Sequence, residues 1–275
     1  MAKFLLNGRP GETLPLSDRA IHYGDGLFET IAVRDGLPLC WEEHMQRLYL
    51  GCQRLAIPPP PASLRAEAQT LIPDRGRAVL KIIISRGQGG RGYQSPDTVV
   101  PTRIMALYDW PDYPDSLYAK GINCTVSRVR LGHAPSLAGL KHLNRLEQVL
   151  ARNDVAGRGY LEGLVLDCED NVIEATMSNL FLVHGTTLIT PDLGNCGVAG
   201  IIRRIILDRV LEWGLRPQVR AVLLDDLQAA EEVFLCNSIL GVCPVTGYEH
   251  HAWPVGPATR AIMETLEVDC QVAGP

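Results

Sequence analysis

The sequence has no excess of positive charge. It sets 26 lysines and arginines against 31 acidic residues, for a formal net charge of −5. A nucleic acid or an anionic membrane would find no general attractive field, so any anionic ligand must be met by a local cluster of cations. It also has no C-x-x-C pair. Its eight cysteines, Cys40, Cys52, Cys124, Cys168, Cys196, Cys236, Cys243 and Cys270, are scattered and mostly lie in apolar runs such as VFLCNS. They read as buried free thiols, not as a disulfide framework or a metal site, and no metal is expected. No long apolar run opens the chain: MAKFLLNGRP reads as neither a signal peptide nor a membrane span, and the expected compartment is the cytoplasm. There is no internal repeat and no low-complexity tail. What is there is a globular chain of 275 residues, 46% hydrophobic and 21% charged, long enough for one large core or two ordinary ones.

The pattern is that of an α+β protein. Residues 3–7 and FETIAVRDGLPLCW alternate like strands, the latter around a hairpin turn at Asp35-Gly36. Between them SDRAIHYGDGLFET brackets Asp25 with Gly24 and Gly26, a tight loop that would deliver Phe28, Glu29 and Thr30 to a strand head. A helix is predicted over 42–55 with Met45, Leu48, Tyr49 and Cys52 on its apolar side, and Pro58–Pro61 stop it before a second one over 62–71. AVLKIIISRG is a buried strand emptying into GQGGRGY, and TRIMALYDW answers it. The proline-bearing PDYPDSLYAKG then separates an N-terminal domain, 1–114, from a C-terminal one, 122–275, with 115–121 as connector. In the second half, EGLVLDCEDNVIEAT and NLFLVHGTTLITP read as hairpins with short antiparallel connections. GVAGIIRRIILDRVLEWG starts a helix near Gly200 with Ile201, Ile205 and Ile206 inward and Gly214 as its stop.

The candidate chemistry centres on SLAGLKHLNRLEQVL, Ser136 to Leu150. Leu143, Leu146, Val149 and Leu150 fall on one helical face, and Asn144 with Glu147 has the spacing of a capping box, so Lys141 sits in a polar link just before the helix. A lysine at such a junction is ordinarily solvated, but its amine is also a potential nucleophile. Glu174, at the end of an otherwise apolar strand, is either a surface charge or a fixed anion facing a cation. The GVAG turn into the helix at Ile201 offers free backbone N–H groups and a positive dipole end, which suit a phosphate.

Together these segments resemble the fold-type IV pyridoxal-phosphate enzymes, which include the branched-chain and D-amino-acid aminotransferases and the aminodeoxychorismate lyases. EATMSNLF followed by LITP, from Glu174 through Asn179 to Thr190, matches the family signature, and the resemblance extends over essentially the whole chain. It implies that Lys141 carries pyridoxal 5'-phosphate and that Glu174 faces the pyridine nitrogen. Arg47, within a motif like H-x-x-R-L from His44 to Leu48, would bind the phosphate together with the turns at Ile201 and Ile202 and at Asn237 and Ser238. Ile202 departs from relatives that often carry threonine there, which keeps the backbone N–H and loses a hydroxyl. SRGQGGRGY, VRLGHAPSLAGLKHLNRLEQVLAR and FLCNSILGVCPV are most similar to the lyase branch.

That branch implies a homodimer of two-domain subunits with the cofactor between domains and a small-molecule substrate, 4-amino-4-deoxychorismate, cleaved to 4-aminobenzoate and pyruvate on the route to folate. Lys141 would act as base, Glu174 would keep the pyridine nitrogen protonated, and Thr30 would donate a proton to the departing enolpyruvate. Arg86, Arg91 and the aromatic Tyr108, next to Asp109, are candidates for holding the substrate. An aminotransferase would use the same Lys141 and Glu174. An RNA-binding module would rest on the single Arg/Gly loop alone, which the acidic balance disfavours.

Overall fold

The computed structural model describes residues 3–114 and 116–270, so residue 115 of the expected connector lies outside it. The chain packs into two compact units, Met1–Pro111 with Leu140–Asn144, and Asp112–Gly139 with Arg145–Pro275. Residues 140–144, which carry Lys141, thus pack with the first unit, not with the C-terminal one to which the sequence assigned them.

The first unit contains β1 (Lys3–Leu6), β2 (Arg9–Pro10), α1 (Arg19–Tyr23), β3 (Gly26–Arg34), β4 (Leu37–Pro38), α2 (Trp41–Arg54), α3 (Leu64–Gln69), β5 (Arg77–Ser85) and β6 (Thr102–Asp109). Its sheet runs β2-β1-β6-β5-β3-β4, antiparallel at every pairing. The Asp35-Gly36 turn takes positive φ at both residues, 46° and 82°, the combination that matches the twist of a two-residue hairpin. Along β3, Leu27, Glu29, Ile31 and Val33 are buried while Phe28 and Thr30, two residues apart on the other face, are half-buried. On α2, Met45, Leu48 and Cys52 face inward as their spacing predicts, but Tyr49 is 40% exposed.

One edge of β3 is covered at its far end by β4 and at its head by the lysine segment. The Phe28 amide donates to the Lys141 carbonyl at 2.9 Å and the Leu143 amide to the Gly26 carbonyl at 3.0 Å. Leu27 and His142 form the intervening antiparallel bridge. Gly26 permits this approach: a Cβ there would stand 2.4 Å from the Ile84 carbonyl oxygen and 2.9 Å from Leu143 Cδ1.

The second unit contains α4 (Ser116–Lys120), β7 (Ile122–Leu131), α5 (Leu146–Gly157), β8 (Glu162–Asp167), β9 (Val172–Ala175), β10 (Asn179–His184), β11 (Thr187–Pro191), α6 (Ile201–Arg209) and a 3₁₀ turn over Val210–Trp213. It continues with β12 (Arg216–Arg220), α7 (Leu224–Ala229), β13 (Glu232–Asn237), β14 (Gly241–Tyr248), β15 (His251–Ala252) and α8 (Pro257–Cys270). The sheet order is β12-β11-β10-β13-β14-β7-β8-β9, with β15 on β14. The expected antiparallel hairpins form, but β11 with β12, β14 with β7 and β7 with β8 pair in parallel, because helices or long excursions separate those strands. Ile201, Ile202 and Ile206 are the buried residues of α6, and Ile205 is only half-buried. Among the described residues no helix is long and apolar enough to cross a membrane.

The capping box does not form. Helix α5 begins at Leu146, its N-cap is Arg145, and no side chain caps it. Asn144 donates instead to the Gly24 carbonyl at 3.1 Å, and Glu147 Oε1 accepts the Gly132 amide at 3.0 Å. Leu146, Val149 and Leu150 point outward, 71%, 50% and 50% exposed, and Ala151 and Val155 are the buried residues. The apolar face read from the spacing is a surface of the chain.

Gly26→Ala should lower the thermal midpoint by the equivalent of about 1–3 kcal/mol, the usual cost of overpacking. Calorimetry or a dichroism melt would show it. An unchanged midpoint would mean that the approach of β3, β5 and the lysine segment is not as tight as described.

Candidate active site

In the first unit, Lys141 Nζ lies 4.5 Å from the centroid of the Phe28 ring, and Lys81 Nζ lies 5.2 Å from the same centroid. Lys81 is the direct cross-strand partner of Thr30. The half-buried face of β3 therefore gathers two amines, an aromatic ring and a hydroxyl. Thr30 and Lys141 were expected at the site. Lys81 was not, although the i, i+2 register of β5 against β3 could have revealed it.

Arg47 sits on α2 with its guanidinium against Glu29 of β3. Nε donates to Glu29 Oε1 at 2.8 Å, and Nη2 donates to Oε2. His44, one turn earlier, gives its Nδ1 proton to Glu29 Oε2 at 2.6 Å. Burial alone would raise the Glu29 pKa; the Arg47 charge and the hydrogen bonds from Arg47 and His44 outweigh it and bring the group from 4.5 to about 2. Burial holds the His44 pKa below its ordinary value, only partly offset by Glu29, and its Nε2 is buried with no hydrogen-bond partner among the described residues. Arg47, expected as a phosphate ligand, is thus oriented by a buried carboxylate that the H-x-x-R-L motif does not contain.

The substrate-binding candidates fare differently. Arg86 spends its guanidinium inside the fold: Nε donates to Asp25 Oδ2 at 2.8 Å, Nη1 to the Ala56 carbonyl at 2.9 Å and Nη2 to the Leu55 carbonyl at 2.7 Å. It closes the C-terminus of α2 and, with Arg19, fixes Asp25 in the glycine-bracketed loop. Arg86, expected as a substrate ligand, thus has its guanidinium committed to hydrogen bonds within the first unit. Arg91 is exposed on the loop after β5. Tyr108 pairs with Val79, four residues along β5 from Ile83, the partner of Phe28, and packs edge-on against Phe4 at 6.4 Å. Its partner Val79 is two residues along β5 from Lys81 and on the same face of the sheet, about 7 Å along the strand, and Tyr108 is 42% exposed there. Asp109 beside it pairs with Ala78.

In the second unit, Glu174 is the penultimate residue of β9 and is 5% exposed. Its Oε2 accepts the Val198 amide at 2.9 Å, while Asn179 Nδ2 donates to the Val198 carbonyl at 2.9 Å. The signature residues thus clamp the turn that opens α6. Gly200 is its N-cap, and a Cβ there would meet Asn179 Oδ1 at 2.0 Å, so no other residue fits without moving Asn179. The Ile201 and Ile202 side chains are buried, and only their backbone N–H groups could serve a phosphate. Asn237 shapes its own turn, accepting the Ile239 and Leu240 amides at 2.8 and 2.7 Å and donating to Ser178 Oγ at 2.9 Å. Ser238 is half-buried in that turn. Beneath it is Glu162, which accepts Thr176 Oγ1 at 2.6 Å, Ser178 Oγ at 3.0 Å and the Met177 amide at 3.2 Å. Burial raises the Glu162 pKa despite those hydrogen bonds.

By their chemistry the residues of each unit suit pyridoxal phosphate: the first offers an amine for its aldehyde and an oriented guanidinium for its phosphate, and the second a buried carboxylate for a protonated pyridine nitrogen and a helix start for phosphate.

The model of the family "Amino-transferase class IV" matches residues 26–248. The chain belongs to that family, whose cofactor is pyridoxal phosphate. It is 38% identical to an aminodeoxychorismate lyase of Vibrio harveyi over 269 residues, 96% of this chain and 99% of that one. The crystal structure of 4-amino-4-deoxychorismate lyase from Pseudomonas aeruginosa superposes with a TM-score of 0.92 at 46% identity, covering 97% of this chain and 98% of that one. The PLP-bound form of a hypothetical aminotransferase from Mycobacterium tuberculosis shares the fold, with a TM-score of 0.81 at 21% identity over 98% and 99% of the two chains.

Arg47→Ala should destabilise the protein by about 3–5 kcal/mol, because it strands a buried carboxylate, and Glu29→Gln added to it should recover part of that loss in a chemical melt. The sign of the pH effect follows from the lowered pKa. Glu29 contributes its stability fully above the ordinary value of 4.5 and loses it as the pH falls through about 2. Glu29→Gln should flatten that acid limb; an unchanged limb would place the titrating group elsewhere.

Proposed function

We propose that this chain converts 4-amino-4-deoxychorismate to 4-aminobenzoate and pyruvate, with pyridoxal phosphate as cofactor. One observation supports the choice of lyase over aminotransferase: beside Lys141, the face of β3 with Phe28 and Thr30 carries a second cation, Lys81, as the cross-strand partner of the Thr30 hydroxyl. That lining offers a cation to a substrate carboxylate and a hydroxyl to an ether oxygen, and it suits an apolar amino-acid side chain poorly.

When bound, pyridoxal phosphate supplies an electron sink at the carbon bearing the substrate amine. Lys141 would hold the cofactor through its aldehyde, and its amine would take the proton from the carbon bearing the substrate amine. Glu174 keeps a proton on the pyridine nitrogen. Thr30 gives a proton to the ether oxygen as its bond to the ring breaks, so that enolpyruvate leaves and the ring becomes aromatic. Lys81 takes the role first offered to Arg86, pairing with a substrate carboxylate. Arg47, Ile201, Ile202, Asn237 and Ser238 hold the phosphate, the last four through backbone N–H groups. The enzyme works as a homodimer in the cytoplasm, a reading supported by the outward Leu146, Val149 and Leu150 on α5 and by the free thiols of the seven described cysteines.

Purified enzyme given aminodeoxychorismate should release pyruvate, read through lactate dehydrogenase, and should form little glutamate from branched-chain or D-amino acids and 2-oxoglutarate. Rapid glutamate formation without pyruvate would make it an aminotransferase. Thr30→Ala should slow aminobenzoate formation by about 10²–10⁴-fold, the usual worth of a general acid, with the cofactor colour retained. Lys81→Met should lower kcat/KM by about 10- to 100-fold through KM, since a charge-assisted contact is worth about 1.5–3 kcal/mol. An unchanged KM would remove Lys81 from the site.

A further inference from the structure

We propose that His133, Asp167 and Cys196 form a site for a transition-metal dication of the zinc class. All three belong to the second unit, and the inference does not depend on the lyase reading. His133 follows β7, Asp167 ends β8 and Cys196 lies between β11 and α6. No short spacing in the sequence joins them, which is why the scattered cysteines read as inert. In the fold, one donor atom from each lies within 4.8 Å of the other two. Imidazole nitrogen, carboxylate oxygen and thiolate sulfur are the donors zinc takes, at about 2.0–2.3 Å, so a small contraction closes the set.

The surroundings are those such a site needs. Asp167 Oδ1 accepts the Glu169 and Asn171 amides, both at 2.9 Å, and Asn171 Nδ2 reaches Oδ2 at 3.1 Å. These bonds fix the carboxylate with Oδ2 toward His133 Nε2, 2.9 Å away, which is how an outer shell orients a ligand. The Ala134 amide donates to the Asn195 carbonyl at 2.8 Å and binds the His133 and Cys196 segments together. Cys196 sits among Leu131, Val165, Ile173 and Leu193, an apolar shell. The His133 side chain is 23% exposed, against 3% for Asp167, and gives a cation and a water, as fourth ligand, a way in.

The charges balance. Coordination replaces the Cys196 thiol proton, which leaves to solvent, so one thiolate and one carboxylate neutralise the dication with His133 neutral. Bound metal would fasten the 192–200 loop to the end of β8. Val198, whose amide holds Glu174, lies on the same loop.

The test uses the holoenzyme, stripped with a chelator and titrated with cobalt(II) as a spectroscopic substitute for zinc. Wild type should take up one cobalt per chain, show thiolate-to-cobalt absorption above the cofactor spectrum, release the cobalt to zinc, and melt at a higher temperature with zinc than without. Cys196→Ser and His133→Ala should each lose more than about 100-fold in cobalt affinity, and Asn171→Ala about 10- to 100-fold, with retained cofactor colour as the check on folding. No uptake by wild type, uptake without thiolate absorption, or equal uptake by Cys196→Ser would overturn the proposal.

Discussion

The backbone pairing of Lys141 to Leu143 against the head of β3 is the constraint on which the site depends. Two backbone hydrogen bonds and the Leu27–His142 bridge turn a short polar link into an extra strand segment, so Lys141 stands opposite Phe28 instead of swinging in solvent. A flexible lysine would have to surrender side-chain and backbone freedom each time it met its ligand. Here the sheet has already fixed its backbone, and Gly26 is what lets the chain come close enough.

Within each unit, buried and half-buried carboxylates act as positioning anions. Glu29 orients Arg47 and His44, Asp25 draws Arg19 and Arg86 into the glycine loop, and Glu162 ties the 176–178 turn that leads to Asn179. Each is costly to bury and stable only with its partners in place, so these loops hold their shape without a hydrophobic core of their own. The price is vulnerability, because losing one member leaves the others stranded.

How much of this was legible in the sequence follows from how local each signal is. The Asp35-Gly36 hairpin, α2 and the start of α6 were readable because turn chemistry and 3.6-residue spacing lie within one short window. The face of α5 misled for the same reason: Leu146, Val149 and Leu150 obey the spacing, but spacing cannot say whether an apolar face meets this chain's core or another surface. Asn144 and Glu147 had the right separation for a cap, yet Gly24 and Gly132, far away in sequence, took their side chains. Lys141, Glu174 and Asn179 were assigned their roles through a resemblance. Glu29 as an anchor, Lys81 beside Thr30, and the inward commitment of Arg86 all depend on strand register and long-range hydrogen bonds, which no window contains.

The central claim is that the β3 edge selects Lys141, although Lys81 approaches the same Phe28 ring. Borohydride reduction of the cofactor-loaded enzyme, followed by peptide mapping, separates the two. The account predicts the pyridoxyl label on Lys141 alone; label on Lys81, or on Lys120, would contradict it.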